Sequence, residues 1–290
     1  MFDVIIIGAG PAGISASLYA KRANKSVLVL YHGESQLEKA HMIDNYYGFP
    51  GGITGTQLYE DGIAQAKELG VEVKNEEALH ISMNANMCFD VTTTEGQYEA
   101  KALILSTGNK KVRPNIKGII DFEGKGVSYC AICDGFFYRK KSVAVIGNGD
   151  YAVSEAGDLE NIVGSLKILT NGKPAPNTDK YEIIETPIKE IKGDAKVSSV
   201  VFEDGQELEV NGVFVAEGVA GGADFAKKMG IAVNGDSIKT DEKMATNIPG
   251  VFSCGNVNGG LLQVCKAVYE GGVAGLSAVN YLKEKTDKEK

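Results

Sequence analysis

Two cysteines separated by two residues form the most reactive pattern in this chain. Cys130 and Cys133 flank Ala131 and Ile132, and Asp134 follows at once. Such close pairing permits a reversible disulfide, and a helix N-terminus or a nearby cation can stabilise a thiolate there. The carboxyl group of Asp134 could carry the proton that thiol exchange requires, or it could cap a helix, and the two roles are compatible. The pattern predicts dithiol redox chemistry.

Zinc binding is the main alternative for cysteines at this spacing. A structural zinc site needs two further ligands, but the sequence has no second pair of this kind, and His32, His41 and His80 are scattered without ligand spacing. The remaining cysteines lie in apolar segments and are predicted to be small core residues: Cys88, Cys254 and Cys265. We therefore expect redox cycling and no metal site.

The composition narrows the cellular setting and the partners. The chain has 290 residues, five cysteines and no apolar signal stretch before its first predicted strand, which together predict a reducing, cytoplasmic environment. Its 38 Asp and Glu residues against 30 Lys and Arg give a formal net charge of −8. This acidity argues against nucleic acid and anionic membrane surfaces as partners.

A glycine-rich turn near the start of the chain predicts dinucleotide binding. Residues 4–7 have the pattern of a buried strand, Gly8-Ala9-Gly10-Pro11-Ala12-Gly13 follows, and residues 14–23 have helical character. The glycines would allow a tight turn, a close backbone approach to a pyrophosphate and close helix–strand packing. The helix N-terminus would offer free N–H groups to the phosphates. The alternative is a tight turn in an α/β domain that binds no ligand.

One residue expected beside this turn is missing. A second apolar strand, at residues 27–30, should end on an acidic residue that binds ribose hydroxyls. Tyr31 and His32 stand at that place, and Glu34 is only nearby. The ribose contact is therefore unassigned.

A second glycine-rich turn lacks the charges that usually hold a nicotinamide coenzyme. The apolar residues 143–146 lead into Gly147-Asn148-Gly149-Asp150-Tyr151-Ala152, and the next predicted strand is followed by Thr170-Asn171-Gly172-Lys173-Pro174. An NADP site uses arginines at that place, and an NAD site uses a carboxylate. Each charge-assisted hydrogen bond is worth roughly 1.5–3 kcal/mol, so the loss of two lowers affinity on the order of a hundredfold to ten-thousandfold. We predict that this turn is retained for packing.

Five motifs occur in a fixed order along the chain. They are Gly8-x-Gly10-x-x-Gly13, Ser106-Thr107-Gly108, Cys130-Ala-Ile-Cys133-Asp134-Gly135-Phe136-Phe137, Gly147-x-Gly149-x-x-Ala152 and Gly250-Val251-Phe252-x-Cys254-Gly255-Asn256. In this order the chain resembles the low-molecular-weight bacterial thioredoxin reductases over nearly its whole length. The resemblance implies a homodimeric FAD protein whose dithiol passes electrons from the flavin to the disulfide of thioredoxin.

The resemblance also implies a role for each matching residue. Cys133 would face the flavin and form the charge-transfer thiolate, Cys130 would exchange with the partner disulfide, and Asp134 would be the acid–base group. The positions that match the FAD contacts of the family are Gly8, Gly10, Pro11, Ala12, Gly13, Gln36, Asn45, Thr107, Gly108, Asn256 and Gln263.

Departures from the family pattern point to one branch of it. Thr170-Asn171-Gly172 replaces the His-Arg-Arg run of the NADPH-dependent members, Leu262 replaces an arginine, and Asn256 replaces a flavin-binding aspartate. The side-chain carbonyl of Asn256 can still accept a hydrogen bond from a ribityl hydroxyl. These changes resemble the ferredoxin-dependent flavin thioredoxin reductases, which keep FAD and the dithiol but do not use NADPH.

The resemblance favours reduction of thioredoxin by electrons from reduced ferredoxin. Low-potential ferredoxins lie near about −400 mV and thioredoxin near about −270 mV, so a two-electron transfer releases roughly 6 kcal/mol. Flavin can take electrons singly and deliver them as a pair. Two basic clusters could attract such a donor, Lys110-Lys111-x-Arg113 and Arg139-Lys140-Lys141.

Three other functions stay open at this point. One is an NADPH-dependent thioredoxin reductase with an atypical coenzyme site. Another is a flavin-dependent dithiol oxidase, in which substrate thiols reduce the disulfide and dioxygen reoxidises the flavin. The third is a redox-sensing module without turnover.

The predicted fold class is α/β, with two Rossmann-like domains of three-layer ββα architecture, the second inserted into the first. Length and the many glycines that punctuate short strand–helix units indicate more than one core. We predict an FAD-binding domain at residues 1–111 plus 240–290. An inserted dithiol domain with a degenerate nicotinamide-nucleotide site would occupy residues 112–239.

Overall fold

The structure, a computed structural model, describes residues 1–108, 114–218, 221–235 and 237–288, and the side chains of Cys133 and Lys288 also lie outside the described part. Two compact units divide the chain. Unit 1 comprises Met1–Lys110 and Gly221–Lys290, and unit 2 comprises Lys111–Ala220. Both units combine helices with parallel strands, and the second is inserted into the first, which confirms the predicted fold class.

The elements follow one another in three segments. Unit 1 begins with β1 (Phe2–Ile7), α1 (Pro11–Arg22), β2 (Val27–Tyr31), α2 (Gly55–Glu68), β3 (Glu72–Asn75), β4 (Ala78–Met83), β5 (Phe89–Thr93) and β6 (Gln97–Leu105). Unit 2 holds β7 (Val127–Ser128), α3 (Ala131–Asp134), β8 (Ser142–Ile146), α4 (Asp150–Leu159), β9 (Ser165–Leu169), β10 (Glu182–Ile184), β11 (Ile188–Gly193), β12 (Val197–Phe202), β13 (Glu207–Glu209) and β14 (Gly212–Val215). Unit 1 is completed by α5 (Gly222–Lys228), β15 (Val233–Asn234), β16 (Ser237–Ile238), β17 (Val251–Ser253) and α6 (Val264–Lys288).

Strand β1 lies inside the parallel part of the sheet of unit 1, with a neighbouring strand on each side. Strand β1 pairs with β2 and with β6, β2 pairs with β3, and β17 pairs with β6, all in parallel. The first half of β6 continues into an antiparallel extension with β5 and β4. Residues 4–7 are buried, as expected for a parallel strand covered on both faces. The carboxyl end of β1 is therefore fixed where the first glycine turn begins.

Helices α1 and α6 cross at very short range because glycines lie at the contact. A Cβ atom on Gly271 would stand 2.1 Å from the carbonyl oxygen of Ala12, and one on Gly275 would stand 2.5 Å from that of Ala16. No larger residue fits at either place without a backbone shift. Helix α6 is thereby held against the helix that follows the first glycine turn.

Unit 2 contains a five-stranded parallel sheet in the order β10-β9-β8-β14-β7. A separate antiparallel sheet of β11, β12 and β13 joins its core through Ile188, Ile191 and Val200. Strand β8 thus has β9 on one side and β14 on the other. This reversal of strand order is the place where open α/β sheets bind ligands.

The chain returns to unit 1 earlier than the sequence predicted. The predicted boundary was residue 240, but α5 and the β15–β16 hairpin belong to unit 1, which resumes at Gly221. The N–H of Gly222 donates a 2.7 Å hydrogen bond to the hydroxyl of Thr107, and a Cβ on Gly222 would be 2.7 Å from a methyl group of Val257. Short elements between glycines carry little periodicity, so the sequence did not reveal which unit they pack against.

Candidate functional site

The three glycines of the first turn have different surroundings. Gly8 has a φ of +113°, and a Cβ on it would stand 2.4 Å from the carbonyl oxygen of Ser106. A Cβ on Gly13 would stand 1.9 Å from the carbonyl oxygen of Gly8. At Gly10, by contrast, no atom of the described residues comes within 4 Å of that position beyond its chain neighbours. Gly8 and Gly13 are thus needed for the turn itself, whereas Gly10 leaves room for a ligand.

The N-terminus of α1 faces the same space. Pro11 lies in the first turn of α1, where a missing N–H costs nothing, and no side chain caps the helix at Gly10. The hydroxyl of Ser106 donates to the carbonyl oxygens of Ile7 and Gly8, each at 3.0 Å, and so holds the turn on the sheet. Sequence analysis gave Ser106 no role of its own. The arrangement can accept a phosphate on backbone N–H groups at a helix N-terminus.

Two further predicted residues meet although they are far apart in sequence. The amide of Asn45 donates a 3.2 Å hydrogen bond to the side-chain oxygen of Gln263, across 218 residues. Asn256, another predicted residue, lies in a short 3₁₀ turn at Gly255–Asn258. A Cβ on Gly255 would lie 2.8 Å from Cβ of Ala12, so this turn abuts the first glycine turn.

Three further predicted residues, Thr107, Gly108 and Gln36, make fewer contacts that bear on a cofactor site. The hydroxyl of Thr107 accepts the Gly222 N–H and lies 3.4 Å from the carbonyl oxygen of Gly108, to which it donates. Gly108 has a φ of +74° and open space at its Cβ position among the described residues. Gln36 is exposed and precedes the 3₁₀ turn Leu37–Lys39, and the described contacts do not join it to the other predicted residues.

The dithiol segment, residues 128–134, begins at the end of β7 and continues into α3. Cys130 is disulfide-bonded, and its backbone N–H donates a 3.1 Å hydrogen bond to the hydroxyl of Ser128. Cys133 lies within α3, while its side chain is outside the described part. The other cysteines, Cys88, Cys254 and Cys265, are free thiols. Cys88 and Cys254 are buried as predicted, but Cys265 is exposed, because it lies on the outer side of α6.

Two carboxylates flank this segment. The hydroxyl of Ser128 donates a 2.6 Å hydrogen bond to Asp134, whose side chain does not cap the following 3₁₀ turn. Glu155 of α4 is only 1% exposed and accepts a 2.8 Å hydrogen bond from the N–H of Ala131. Ser128 and Glu155 were not predicted, because neither stands at a spacing that marks it in the sequence. Asp134 therefore does not cap the 3₁₀ turn that follows it, and its acid–base role stays a prediction.

The surface beside the dithiol is apolar and basic. Phe136 and Phe137 are 69% and 70% exposed, and Ile132 of α3 is also exposed. Arg139, Lys140 and Lys141 follow them and are exposed as well. The other predicted basic cluster, Lys110-Lys111-x-Arg113, lies outside the described residues. A partner protein that approaches the dithiol segment would meet both apolar and cationic side chains.

The second glycine turn is surrounded differently from the first. A Cβ on Gly147 would stand 2.2 Å from the carbonyl oxygen of Ala216, so the turn packs against the end of β14. Gly149 has open space at its Cβ position among the described residues, as Gly10 does. Asp150, however, places a carboxylate in the first turn of α4, where a pyrophosphate would need a positive potential.

The loop that follows β9 is bound internally. Thr170 is buried, and its hydroxyl donates to the carbonyl oxygen of Lys173 at 2.5 Å. The side-chain oxygen of Asn171 accepts the N–H of Ile188 at 2.8 Å, and Asn171 itself has a φ of +54°. Thr170 and Asn171 stand where the NADPH-dependent proteins were expected to carry the histidine and the first arginine of their His-Arg-Arg run. Neither position presents a side chain outward for a 2′-phosphate.

An ion pair spans the carboxyl end of β8. Lys173, after β9, pairs with Glu217, which follows β14, so the contact crosses the point where the strand order reverses. The Glu217 side chain is 8% exposed. Its second oxygen is buried with no hydrogen-bond partner among the described residues. A dinucleotide in this crevice would have to displace the pair and face a buried negative charge.

Two other features are absent from the described residues. No group of three or more His, Cys, Asp or Glu side chains is placed to hold a metal ion. No described helix is both long enough and apolar enough to cross a bilayer.

The fold and site together define a disulfide oxidoreductase built on dinucleotide-binding domains. Residues 2–178 and 182–271 match the family described as pyridine nucleotide-disulphide oxidoreductase. A thioredoxin reductase of Listeria innocua serovar 6a is 33% identical over 98% of this chain and 95% of its own length. The chain therefore belongs to this family, as a flavoprotein disulfide oxidoreductase of the thioredoxin reductase type.

Two solved structures are also similar over nearly the full length. The atypical thioredoxin reductase TRi from Desulfovibrio vulgaris Hildenborough is 39% identical with a TM-score of 0.91, over 98% of this chain and 99% of that one. A ferredoxin-flavin thioredoxin reductase from Clostridium acetobutylicum is 34% identical with a TM-score of 0.70, over 98% of both chains.

Proposed function

We propose that the protein reduces thioredoxin with electrons that come from reduced ferredoxin through FAD and the Cys130–Cys133 dithiol. One observation carries the proposal: both glycine turns have open space at their middle glycine, but only the second has a carboxylate in the first turn of its helix and the Lys173–Glu217 pair across it. The similarity to a protein described as a ferredoxin-flavin thioredoxin reductase supports the same donor.

The residues of the first turn fit FAD. The open position at Gly10 and the N-terminus of α1 suit a pyrophosphate, and Asn45, Gln263 and Asn256 offer amide groups for the flavin portion. Gly8, Pro11, Ala12, Gly13, Gln36, Thr107 and Gly108 complete the proposed set. When bound, FAD would supply the electron pair that reopens the disulfide.

The dithiol would act by thiol–disulfide exchange. The Cys130 thiolate attacks one sulfur of the thioredoxin disulfide, whose S–S bond breaks, and the departing sulfur takes up a proton. Cys133 then attacks the Cys130 sulfur, which releases thioredoxin as a dithiol and closes the Cys130–Cys133 disulfide. Asp134, whose carboxylate accepts the hydroxyl of Ser128, would carry the protons that these steps consume and release.

The donor would dock by local charge rather than by net charge. The chain as a whole is acidic, with a formal charge of −8. The exposed Arg139, Lys140 and Lys141 form a cationic surface next to the dithiol segment, and an acidic electron carrier is complementary to it. The cluster at 110–113 stays part of the proposal as a second docking element.

A homodimer in the cytoplasm is the proposed setting. Tyr269 and Leu276 lie seven residues apart on α6, are 67% and 47% exposed, and give that helix an apolar outer stripe that a second copy could cover. Reducing conditions agree with the free thiols of Cys88, Cys254 and Cys265. Sedimentation of the wild type and of a Tyr269→Glu variant tests the dimer, since the variant should sediment as a monomer.

NADPH-dependent reduction is the second candidate. The observation in its favour is the open space at Gly149, which matches that at Gly10. Against it stand Asp150, the internal bonds of Thr170 and Asn171, and the buried charge of Glu217.

An anaerobic titration separates the candidates. The purified protein is mixed with reduced ferredoxin or with NADPH, the visible flavin bands are followed, and thioredoxin reduction is then assayed with each donor. We expect ferredoxin to bleach the flavin and drive thioredoxin reduction, and NADPH to do neither. Efficient turnover with NADPH alone would refute the proposed donor. In a separate aerobic assay with substrate thiols as the donor, rapid reoxidation of the flavin by dioxygen would support a dithiol oxidase instead.

A further inference from the structure

A partly buried ion pair on α6 lies against the turn that carries Asn256. The ammonium of Lys266 lies 3.1 Å from a carboxylate oxygen of Glu270, one helical turn further on. The two side chains are only 14% and 12% exposed. Charged groups are rarely this buried on a helix surface unless they have further partners.

Both side chains make hydrogen bonds to the backbone of the Gly255–Asn258 turn and the residue after it. Lys266 donates to the carbonyl oxygens of Gly255 and Gly259, at 2.8 and 2.6 Å, which are the two ends of the turn. Glu270 accepts the N–H of Gly255 at 2.7 Å. The pair therefore fixes the backbone on either side of Asn256.

The neighbouring thiol senses both charges. Burial raises the pKa of Cys254, the carboxylate of Glu270 raises it further, and the ammonium of Lys266 acts in the opposite direction. The two side chains thus act on the pKa of Cys254 in opposite directions. A group held by Asn256 would share this turn with both side chains.

That group is the proposed flavin, so this inference rests on the proposed FAD site. The turn abuts Ala12 of the open glycine turn, and Gln263, a proposed flavin contact, precedes Lys266 by less than one helical turn. A flavin gains electrons on reduction, so a nearby cation favours its reduced form and a nearby anion disfavours it.

We propose that Lys266 and Glu270 are positioning residues that set the reduction potential of the bound flavin. They hold the Asn256 turn in place and balance two opposite charges beside it. Loss of either charge then shifts the flavin potential in a direction fixed by the charge that remains.

The test compares Lys266→Met and Glu270→Gln, with Lys266→Arg as the control that keeps the cation. Each change is made in the full-length protein in a Cys130→Ser background, which leaves the flavin as the centre that titrates. The midpoint potential is measured anaerobically against a reference dye, and the dissociation constant for FAD is measured by reconstitution of the apoprotein.

The expected shifts have opposite signs. Lys266→Met should favour the oxidised flavin at least tenfold, and Glu270→Gln should favour the reduced flavin at least tenfold, each about 30 mV for a two-electron couple. Lys266→Arg should remain within threefold of the parent. A purely structural staple would instead weaken FAD binding in both variants, with potentials unchanged or shifted the same way.

Shifts of the same sign, or both within threefold, would overturn the inference. Glu270→Gln alone decides if Lys266→Met does not fold, because the amide keeps an oxygen for the Gly255 N–H and Lys266 keeps both carbonyl acceptors. If the unchanged protein takes up no flavin, the proposed function itself fails. Flavin-loaded variants with unaltered potentials defeat only the role of the ion pair.

Discussion

The hydroxyl of Ser128 lies 2.6 Å from a carboxylate oxygen of Asp134 and links that side chain to the strand that enters the dithiol. The same hydroxyl accepts the N–H of Cys130 at 3.1 Å. One small side chain thus fixes both the proposed acid–base group and the backbone of the proposed nucleophile.

A Ser128→Ala change should slow thioredoxin reduction. Hydrogen bonds to charged groups contribute about 1.5–3 kcal/mol, so the loss of this bond should lower kcat about 10- to 100-fold if it positions Asp134 in the rate-limiting exchange. Steady-state assays with reduced ferredoxin measure the effect. Ser128→Thr retains a hydroxyl and is the matched control, and equal rates for all three proteins would remove Ser128 from the mechanism.

A Glu155→Ala change should destabilise unit 2. The N–H of Ala131 would lose its 2.8 Å acceptor inside the protein, which costs about 1–3 kcal/mol in the free energy of unfolding. Glu155→Gln keeps an oxygen acceptor at the same place and should cost less than about 1 kcal/mol. Urea denaturation of the two variants checks the order, and equal losses would show that the charge, which both changes remove, matters more than the hydrogen bond.

Two glycines of the first turn should respond differently to a methyl group. Gly13→Ala forces Cβ to within 1.9 Å of a backbone oxygen and should lower the free energy of unfolding by about 3 kcal/mol or more. Gly10 has an ordinary φ of −71° and open space, so Gly10→Ala should fold normally. Its methyl group would occupy the proposed pyrophosphate position, and FAD affinity should fall at least about tenfold.

Denaturation and flavin release, measured on the same samples, separate these two effects. A Gly10→Ala protein that folds and keeps FAD with unchanged affinity would contradict the placement of the cofactor at this turn.

A Cys130→Ser change should abolish thioredoxin reduction and leave FAD bound. The exchange needs a sulfur nucleophile at this position, and a serine hydroxyl cannot replace it, so activity should fall by about a thousandfold or more. Cys88→Ser is the matched control, because Cys88 is a free, buried thiol outside the proposed site. Retained activity in the Cys130 variant would assign the exchange to another residue.

The local elements of the first turn could be predicted because their signals lie within the sequence. Residues 4–7, 14–23 and 27–30 were assigned to a strand, a helix and a strand, and the structure has Phe2–Ile7, Pro11–Arg22 and Val27–Tyr31. Glycine spacing and apolar runs report short-range geometry directly. The order of the motifs likewise sufficed to indicate the family.

Contacts between distant residues could not be predicted in the same way. Asn45 contacts Gln263, and Lys173 contacts Glu217, only because of how the helices and strands pack. The sequence around each residue contains no pattern that indicates its partner. Glu155 looks like any helical glutamate in the sequence, yet it is buried against Ala131. The absence of arginines after β9 was visible, whereas the internal bonds that occupy those positions needed the structure.

The hydrogen bond between Thr107 and Gly222 marks the place where unit 2 is inserted into unit 1. It joins the residue at which the chain is about to leave unit 1 to the one at which it has just come back, so the exit and the re-entry are neighbours in space. The segment between these two residues, which includes all of unit 2, is therefore inserted at one point of unit 1. A few residues could therefore join Gly108 to Gly221 and keep unit 1 continuous. A different domain could also be inserted at the same point.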